Sequence, residues 1–471
     1  MAIQWSGLGP ELLLRLDRGS GQPLRSQLEE GRREAIRSGR LQGGERLPSS
    51  RELARELGTS RGLVQECYSQ LLSEGYLTSQ IGSATRVAMG AQSAPAEPPA
   101  RQEPPPRLIA DFRNGVPDLA SFPRGDWIWA TREACGSVAN LDLDYGDPRG
   151  SAVLRGVLAG YLRRVRAASA NPGQMIISTG FAQGIVLVLR ALAATGVRCV
   201  AFEDPGYGST ETSETVRAAG AIGLRTVHVP VDDLGIDVAA LEESGAQAVV
   251  VTPAHQSPTG VVLAARRRHA LVTWANRNDG FIVEDDYDSE FRYDREPVGV
   301  LQGLAPGRVF TIGTASKALA PAVRLGWILA PPSHAAAVAE EKRISDRGSS
   351  TLDQLVLAAL LESGRYDRHL RRMRAIYGSR RATLIAILAR HAPGIRLTGL
   401  AAGFHAIAHL PAAADEQAVV AAARKRRVGL YGMGRLRMTG AAGPPQLVLG
   451  FGQVGERAIE PGIAAVADLL S

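Results

Sequence analysis

Three of the chain's fifty-four basic residues are lysine, and one of them, Lys317, stands where an amine could do chemistry. Val309 to Ile312 reads as a buried strand, and Thr314-Ala315-Ser316-Lys317 as the small polar loop after it. Arg324 follows beyond Pro321, ahead of a second apolar run from Leu325 to Ala330. A guanidinium does not deprotonate in proteins, whereas an ammonium can be brought down to a neutral, nucleophilic amine. A lysine kept in so arginine-biased a chain therefore points to attack on a carbonyl, ending in a Schiff base. The bland alternative is a solvated surface lysine, and the neighbouring motifs decide between the two.

Glu284-Asp285-Asp286-Tyr287-Asp288 follows the apolar run Phe281–Val283 and puts a carboxylate at the end of a buried strand. Such a group is costly unless it meets a cation or an N–H donor. A protonated ring nitrogen against Asp285 would serve, and the pair would hold the ring as an electron sink. Glu203-Asp204-Pro205-Gly206-Tyr207 offers an aromatic ring on a rigid turn, suited to stacking. Ser178-Thr179-Gly180-Phe181-Ala182-Gln183 leads from a strand into a helix, whose first N–H groups can hold a phosphate. Between two prolines, Thr252-Pro253-Ala254-His255-Gln256-Ser257-Pro258 supplies further hydrogen-bonding groups, His255 among them.

Each signal is weak alone, because glycine turns are common and tyrosines often pack in loops. Together they describe one site. Lys317 would form the Schiff base, Asp285 would pair with a ring nitrogen, Tyr207 would stack, and Tyr287 would bond a ring oxygen. Gly180, Phe181, Ala182, Thr314, Ser316 and Arg324 would hold a phosphate. That is a site for pyridoxal 5′-phosphate (PLP). Cys67, Cys135 and Cys199 have neither metal-ligand nor disulfide spacing, and no metal is expected.

The elements that position these residues follow from the pattern of runs. Met175–Ile177, Val200–Phe202, Ala248–Val251, Phe281–Val283 and Val309–Ile312 alternate with helix-length segments. This predicts an α/β body with a mostly parallel sheet, its ligand site at the strand carboxyl ends. Residues 88–107 are rich in Pro, Ala and polar residues and read as a semi-rigid linker. It separates a head, residues 1–87, from a body, residues 108–471. In the head, Pro23 to Ser38 reads as a helix, and Ser49-Ser50-Arg51-Glu52 as a capping box that opens a second. A further helix starts near Ser60, and two short strands lie around Gln80 to Ser83. Helix, turn, helix and hairpin is the layout of a winged helix-turn-helix, which would put Arg61 and Gly62 at base edges and Arg51 at a phosphate.

Composition bounds the class. At 471 residues, 45% apolar and 21% charged, two or three soluble domains are expected. No apolar run approaches the ~18 residues of a membrane span, so no membrane partner is expected. No signal peptide is evident, and scattered cysteines suit a reducing cytoplasm. Net charge +7 permits a polyanion partner.

Pro23-Leu24…Gln27-Leu28, Gly44-Glu45-Arg46-Leu47-Pro48-Ser49-Ser50-Arg51-Glu52-Leu53-Ala54, Ser60-Arg61…Val64 and Gly75-Tyr76-Leu77 resemble the GntR family of bacterial regulators. The resemblance implies DNA contacts from Arg46, Ser49, Arg51, Ser60, Arg61, Gly62, Gln80 and Gly82. Ala84 stands where that family often has a wing glycine. From about Asp111 onward the motifs resemble fold-type I aminotransferases, including Tyr145-Gly146-Asp147-Pro148-Arg149-Gly150 near the substrate entrance. That fold implies a smaller C-terminal α+β subdomain. Head, linker and body together resemble the MocR family of transcriptional regulators.

The resemblance implies a homodimer on a double-stranded operator, responding to PLP or to an amino compound that reacts with it. In family members that answer to γ-aminobutyrate, an arginine lies two residues after the stacking tyrosine. Here that position is Ser209. The strand Gln446 to Gly452 also lacks the arginine with which true aminotransferases bind an α-carboxylate, although Arg435 and Arg437 lie nearby. Both departures direct the expectation to PLP itself as the signal, with control of vitamin B6 metabolism. Two alternatives are an active aminotransferase with a tethered DNA-binding head and a regulator whose body has lost its cofactor.

Overall fold

The computed structural model describes residues 16–79, 84–90, 108–208, 213–293, 298–438 and 443–470. The chain divides into two compact units, Met1–Pro105 and Pro106–Ser471. All but residues 88–90 of the expected linker lie outside the described residues.

The first unit packs three helices against a two-stranded hairpin. α1 (Leu24–Arg37) buries Leu28, Ala35 and Ile36. α2 (Ser50–Glu56) opens on the expected capping box: the Glu52 N–H donates to Ser49 Oγ and the Ser49 N–H to the Glu52 carboxylate. α3 (Arg61–Ser73) is capped by Ser60, whose Oγ accepts from the Leu63 N–H, and it buries Val64, Cys67 and Leu71. β1 (Leu77–Thr78) pairs antiparallel with β2 (Arg86–Val87). Arg33 of α1 pairs with Glu74 at the end of α3 at 2.7 Å, tying the two helices together.

The second unit begins with β3 (Ala110–Asp111), α4 (Arg124–Ser137) and α5 (Ala152–Arg166). There follow β4 (Met175–Ser178), α6 (Phe181–Ala194), β5 (Cys199–Asp204), α7 (Glu214–Ala221), β6 (Arg225–Asp232), β7 (Gly235–Ile236), α8 (Val238–Glu243) and β8 (Ala248–Val251). Next come α9 (Ala265–Arg277), β9 (Phe281–Asp286), β10 (Val309–Thr314), β11 (Gly326–Leu329), α10 (Ala335–Asp346), α11 (Thr351–Glu362) and α12 (Arg365–His391). The unit closes with β12 (Arg396–Thr398), β13 (His405–His409), α13 (Glu416–Lys425), β14 (Val428–Gly429), β15 (Gln446–Gly450) and α14 (Glu456–Ala464).

Eight strands form one sheet in the order β4-β11-β10-β9-β8-β5-β6-β7. β6, β5, β8, β9 and β10 run parallel, β11 runs antiparallel between β10 and β4, and β7 is antiparallel at the far edge. The sheet is mostly parallel, as the alternating runs predict. Its central strands are buried on both faces, which is why they read as unbroken apolar stretches. Gly313 on β10 is required by close packing, since a Cβ there would lie 2.3 Å from the Trp327 indole.

A separate antiparallel sheet, β12-β13-β15, forms the smaller C-terminal part together with α13 and α14. β14 pairs parallel with β3, so the first strand of the unit belongs with its last elements.

Candidate functional site

β10 delivers Lys317. Its Nζ donates to the carbonyl of Gly115 at 2.5 Å, 202 residues away in sequence. Burial pulls the Lys317 ammonium below its ordinary pKa, against the charges of Asp285 and Asp288, as a nucleophilic amine needs.

Asp285 ends the neighbouring strand, β9. Tyr207 Oη donates to its Oδ2 at 2.8 Å, while Oδ1 is buried and has no hydrogen-bond partner among the described residues. Burial pushes this carboxyl up to about 8, against the lowering effect of the Tyr207 bond and the Lys317 charge. A protonated ring nitrogen donating to Oδ1 would satisfy that atom and stabilise the carboxylate. Tyr207 stacks on Phe181, with ring centroids 5.6 Å apart and planes 10° from parallel.

An anion cradle lies at the start of α6. Gly180 takes φ +114°, a conformation that side chains disfavour, and a Cβ there would face Arg324 Nη1, Thr314 Oγ1 and Ser316 Oγ at 3.6, 3.8 and 3.9 Å. Three sequence-distant groups thus surround one glycine at a helix N-terminus. The first N–H groups of that helix, from Phe181 and Ala182, have no acceptor within it. Thr314 Oγ1 donates to Ser316 Oγ at 2.9 Å and accepts from the Ser316 N–H at 3.1 Å, fixing the loop before Lys317.

A second lysine supports the cradle from behind. Lys342 of α10 is fully buried and donates to Asp346, Ser349 and Gln183 Oε1 at 2.6, 3.0 and 3.1 Å. The same Gln183 Oε1 accepts from the Thr179 N–H at 2.9 Å, one residue before Gly180. Sequence reading missed Lys342, although the scarcity of lysine was a usable signal for it.

His255 Nδ1 lies 2.8 Å from Asp288 Oδ2, and the His255 and His405 ring centroids are 4.6 Å apart. The Tyr287 hydroxyl, expected at a ring oxygen, donates to the His255 carbonyl at 3.0 Å. His255 Nε2 is buried without a partner. His405 Nε2 faces the Pro258 carbonyl at 2.9 Å, and burial holds His405 well below its usual pKa, hence neutral. Potential ligand atoms of His255, Asp288 and His405 lie within 4.8 Å of one another, a gathering that no sequence spacing announces. Like Lys342, the residues Gly115, Asp288 and His405 gather here without having been assigned by sequence reading.

The turn Met433–Leu436 lies against this site: the Gly206 N–H donates to the Leu436 carbonyl at 2.9 Å. Arg437 donates to Gln446 Oε1 at 3.2 Å. Ser209 lies outside the described residues.

In the first unit, Arg46, Arg51, Arg61 and Gly62 are exposed. A Cβ on Gly62 would meet nothing within 4 Å, so internal packing does not require the glycine. Ser49 and Ser60 accept the cap hydrogen bonds of α2 and α3, leaving each hydroxyl proton free to reach outward. Gln80 and Gly82 lie outside the described residues.

Comparison with known proteins agrees with both halves. Residues 24–87 match the gntR family of bacterial regulatory proteins, and residues 123–449 match aminotransferase class I and II. The pyridoxine biosynthesis transcriptional regulator PdxR of Corynebacterium glutamicum is 34% identical over 451 residues, 95% of this chain and 96% of that one. The probable rhizopine catabolism regulatory protein MocR of Rhizobium meliloti is 32% identical, covering 96% and 94%. Kynurenine aminotransferase of Pyrococcus horikoshii, solved with PMP, superposes with a TM-score of 0.69 at 26% identity, covering 77% of this chain and 91% of that one. The lysine, the unmet Asp285 oxygen and the anion cradle fit PLP. With a GntR-type head and an aminotransferase-type body both matched, the chain belongs to the MocR-type GntR regulators, PLP-binding transcriptional regulators with a helix-turn-helix head.

Proposed function

We propose that this chain is a homodimeric regulator whose affinity for its operator is set by PLP at Lys317, and that the genes it controls serve vitamin B6 metabolism. The observation that carries the reading is the convergence of the depressed Lys317 amine, the unmet Asp285 Oδ1 and the Gly180–Arg324 cradle at the ends of β4, β9 and β10. When bound, PLP supplies a carbonyl that a primary amine can attack and an electron-withdrawing ring. The cradle residues hold its phosphate, Asp285 holds its ring nitrogen, and Lys317 holds it covalently. The 34% identity to a regulator of pyridoxine biosynthesis supports the choice of pathway. An amino compound reacting with bound PLP would act through the same lysine.

For either signal to reach the DNA, its contacts must differ in energy between two arrangements of the dimer. A two-fold dimer implies paired half-sites. The proposed linker at residues 88–107 transmits orientation better with its prolines than a Gly/Ser tether would. A gel-shift titration on the DNA upstream of the gene, with apo- and PLP-loaded protein at one stated salt, tests this. A PLP-dependent change in affinity or complex pattern is expected. Tight binding indifferent to PLP would remove the cofactor as the signal.

A further inference from the structure

A cavity of about 510 Å³ lies on the face of β9 opposite the cofactor pocket, a volume within the usual range for small-molecule sites. Successive strand residues point to opposite faces, so Asp285 serves the cofactor pocket and Asp286 the other side. Asp286 takes both oxygens to Arg166 at 2.9 and 2.7 Å, and Arg166, 3% exposed, forms part of the cavity wall.

Three further guanidinium groups line the cavity, from Arg164 at the end of α5 and from Arg371 and Arg374 on α12. Arg374 Nε donates to the Glu290 carbonyl at 2.6 Å. Its two terminal nitrogens, and the whole guanidinium groups of Arg164 and Arg371, have no acceptor among the described residues. Ser289, 2% exposed, also lines the cavity, and its buried hydroxyl has no partner among the described residues.

Two acids face these cations, Glu290 and Asp367. Burial, and then the charge of Asp286, push the Glu290 carboxyl up to about 7, so near neutral pH it is partly a hydrogen-bond donor. The lining therefore offers more donors than acceptors. A buried hydroxyl with no partner among the described residues, beside guanidinium groups whose N–H donors are free to turn to a ligand, suits an oxygen-rich acceptor, and guanidinium binds carboxylate and phosphate through paired bonds.

We infer that this cavity binds a small oxyanion, a phosphate ester or a carboxylate, at a site separate from the cofactor pocket. Arg371 and Arg374 grip the anion, and Ser289 donates to it. Ser289 and Glu290 lie three and four residues beyond the end of β9, so the ligand sits close in sequence to the strand that carries Asp285.

The test is isothermal titration of PLP-loaded, full-length protein with inorganic phosphate and, separately, with succinate at constant ionic strength. Loading with PLP keeps the cofactor's own phosphate cradle filled. One saturable event is expected with at least one probe, and which probe binds tells phosphate from carboxylate. Arg371→Ala should weaken it about tenfold or more, as loss of a charged hydrogen-bond partner does. Ser289→Ala should weaken it several-fold, and Arg277→Ala on α9 should leave it unchanged. Arg371 is exposed and makes no internal hydrogen bond among the described residues, so its replacement spares the fold. No saturable binding of either probe would overturn the inference. Binding unaltered in both Arg371→Ala and Ser289→Ala would overturn it equally.

Discussion

The Tyr207 hydroxyl donates to Oδ2 of Asp285 at 2.8 Å and leaves Oδ1 as the buried atom with nothing to bind. The bond holds the carboxyl in place and opposes the upward push of burial on its pKa. The tyrosine therefore acts directly on the carboxyl proposed to hold the ring nitrogen, beyond the stacking role that its position on a rigid turn suggests.

Tyr207→Phe should weaken PLP binding about tenfold. The variant removes a hydrogen bond to a charged group, for which about 1.5–3 kcal/mol is typical, while keeping the ring that stacks on Phe181. Absorbance titration of apo-protein with PLP measures it. Unchanged affinity would show that Asp285 is held without the tyrosine.

Asp285 also makes the apo-protein sensitive to pH. Its folded-state pKa is about 8, against an ordinary 3.8. Between those values the folded protein keeps a proton that the unfolded chain has released, so stability falls as pH rises through this window. Glu203 and Glu284, both pushed up to about 7 by burial, add to the same slope. The melting temperature of apo-protein should fall from pH 5 to pH 9. Asp285→Asn should flatten the curve in part, and bound PLP should flatten it by stabilising the carboxylate. A curve with the same slope in Asp285→Asn would contradict the assignment.

Lys342→Met should lower PLP affinity about tenfold although Lys342 lies outside the cradle. The substitution removes the cation that joins Asp346, Ser349 and Gln183, and Gln183 accepts from the Thr179 N–H beside Gly180. Lys425→Met, at an exposed position, should change nothing. Equal PLP affinity in Lys342→Met and wild type would reduce the network to a fold contact.

Much of this was legible in the sequence because the signals were local. Ala248–Val251 appears as read, and Phe281–Val283 and Val309–Ile312 extend by two or three residues into β9 and β10, because the polar residues that follow each apolar run are buried in the sheet as well. The cap at Ser49 follows from four adjacent residues. What stayed hidden depends on contacts made across the fold. β6 is mostly half-buried or exposed, with Val229 its one buried residue, and it carries no apolar run. The pairing of β3 with β14 joins segments more than three hundred residues apart, and two-residue strands have no periodicity to read. His405 meets His255 only because the small sheet closes over the loop after β8. The Gly115 carbonyl reaches Lys317 by the same kind of long-range approach.

The proposed function requires Lys317 to couple the cofactor to the DNA. Fluorescence anisotropy of labelled upstream DNA, titrated with wild type and with Lys317→Ala, each apo and with saturating PLP at one salt concentration, tests it most directly. The wild-type isotherm should shift on adding PLP, by about fivefold or more given usual coupling energies, and the Lys317→Ala isotherm should not shift. Equal PLP shifts in the two proteins would contradict the account, since the cofactor would then act without its lysine.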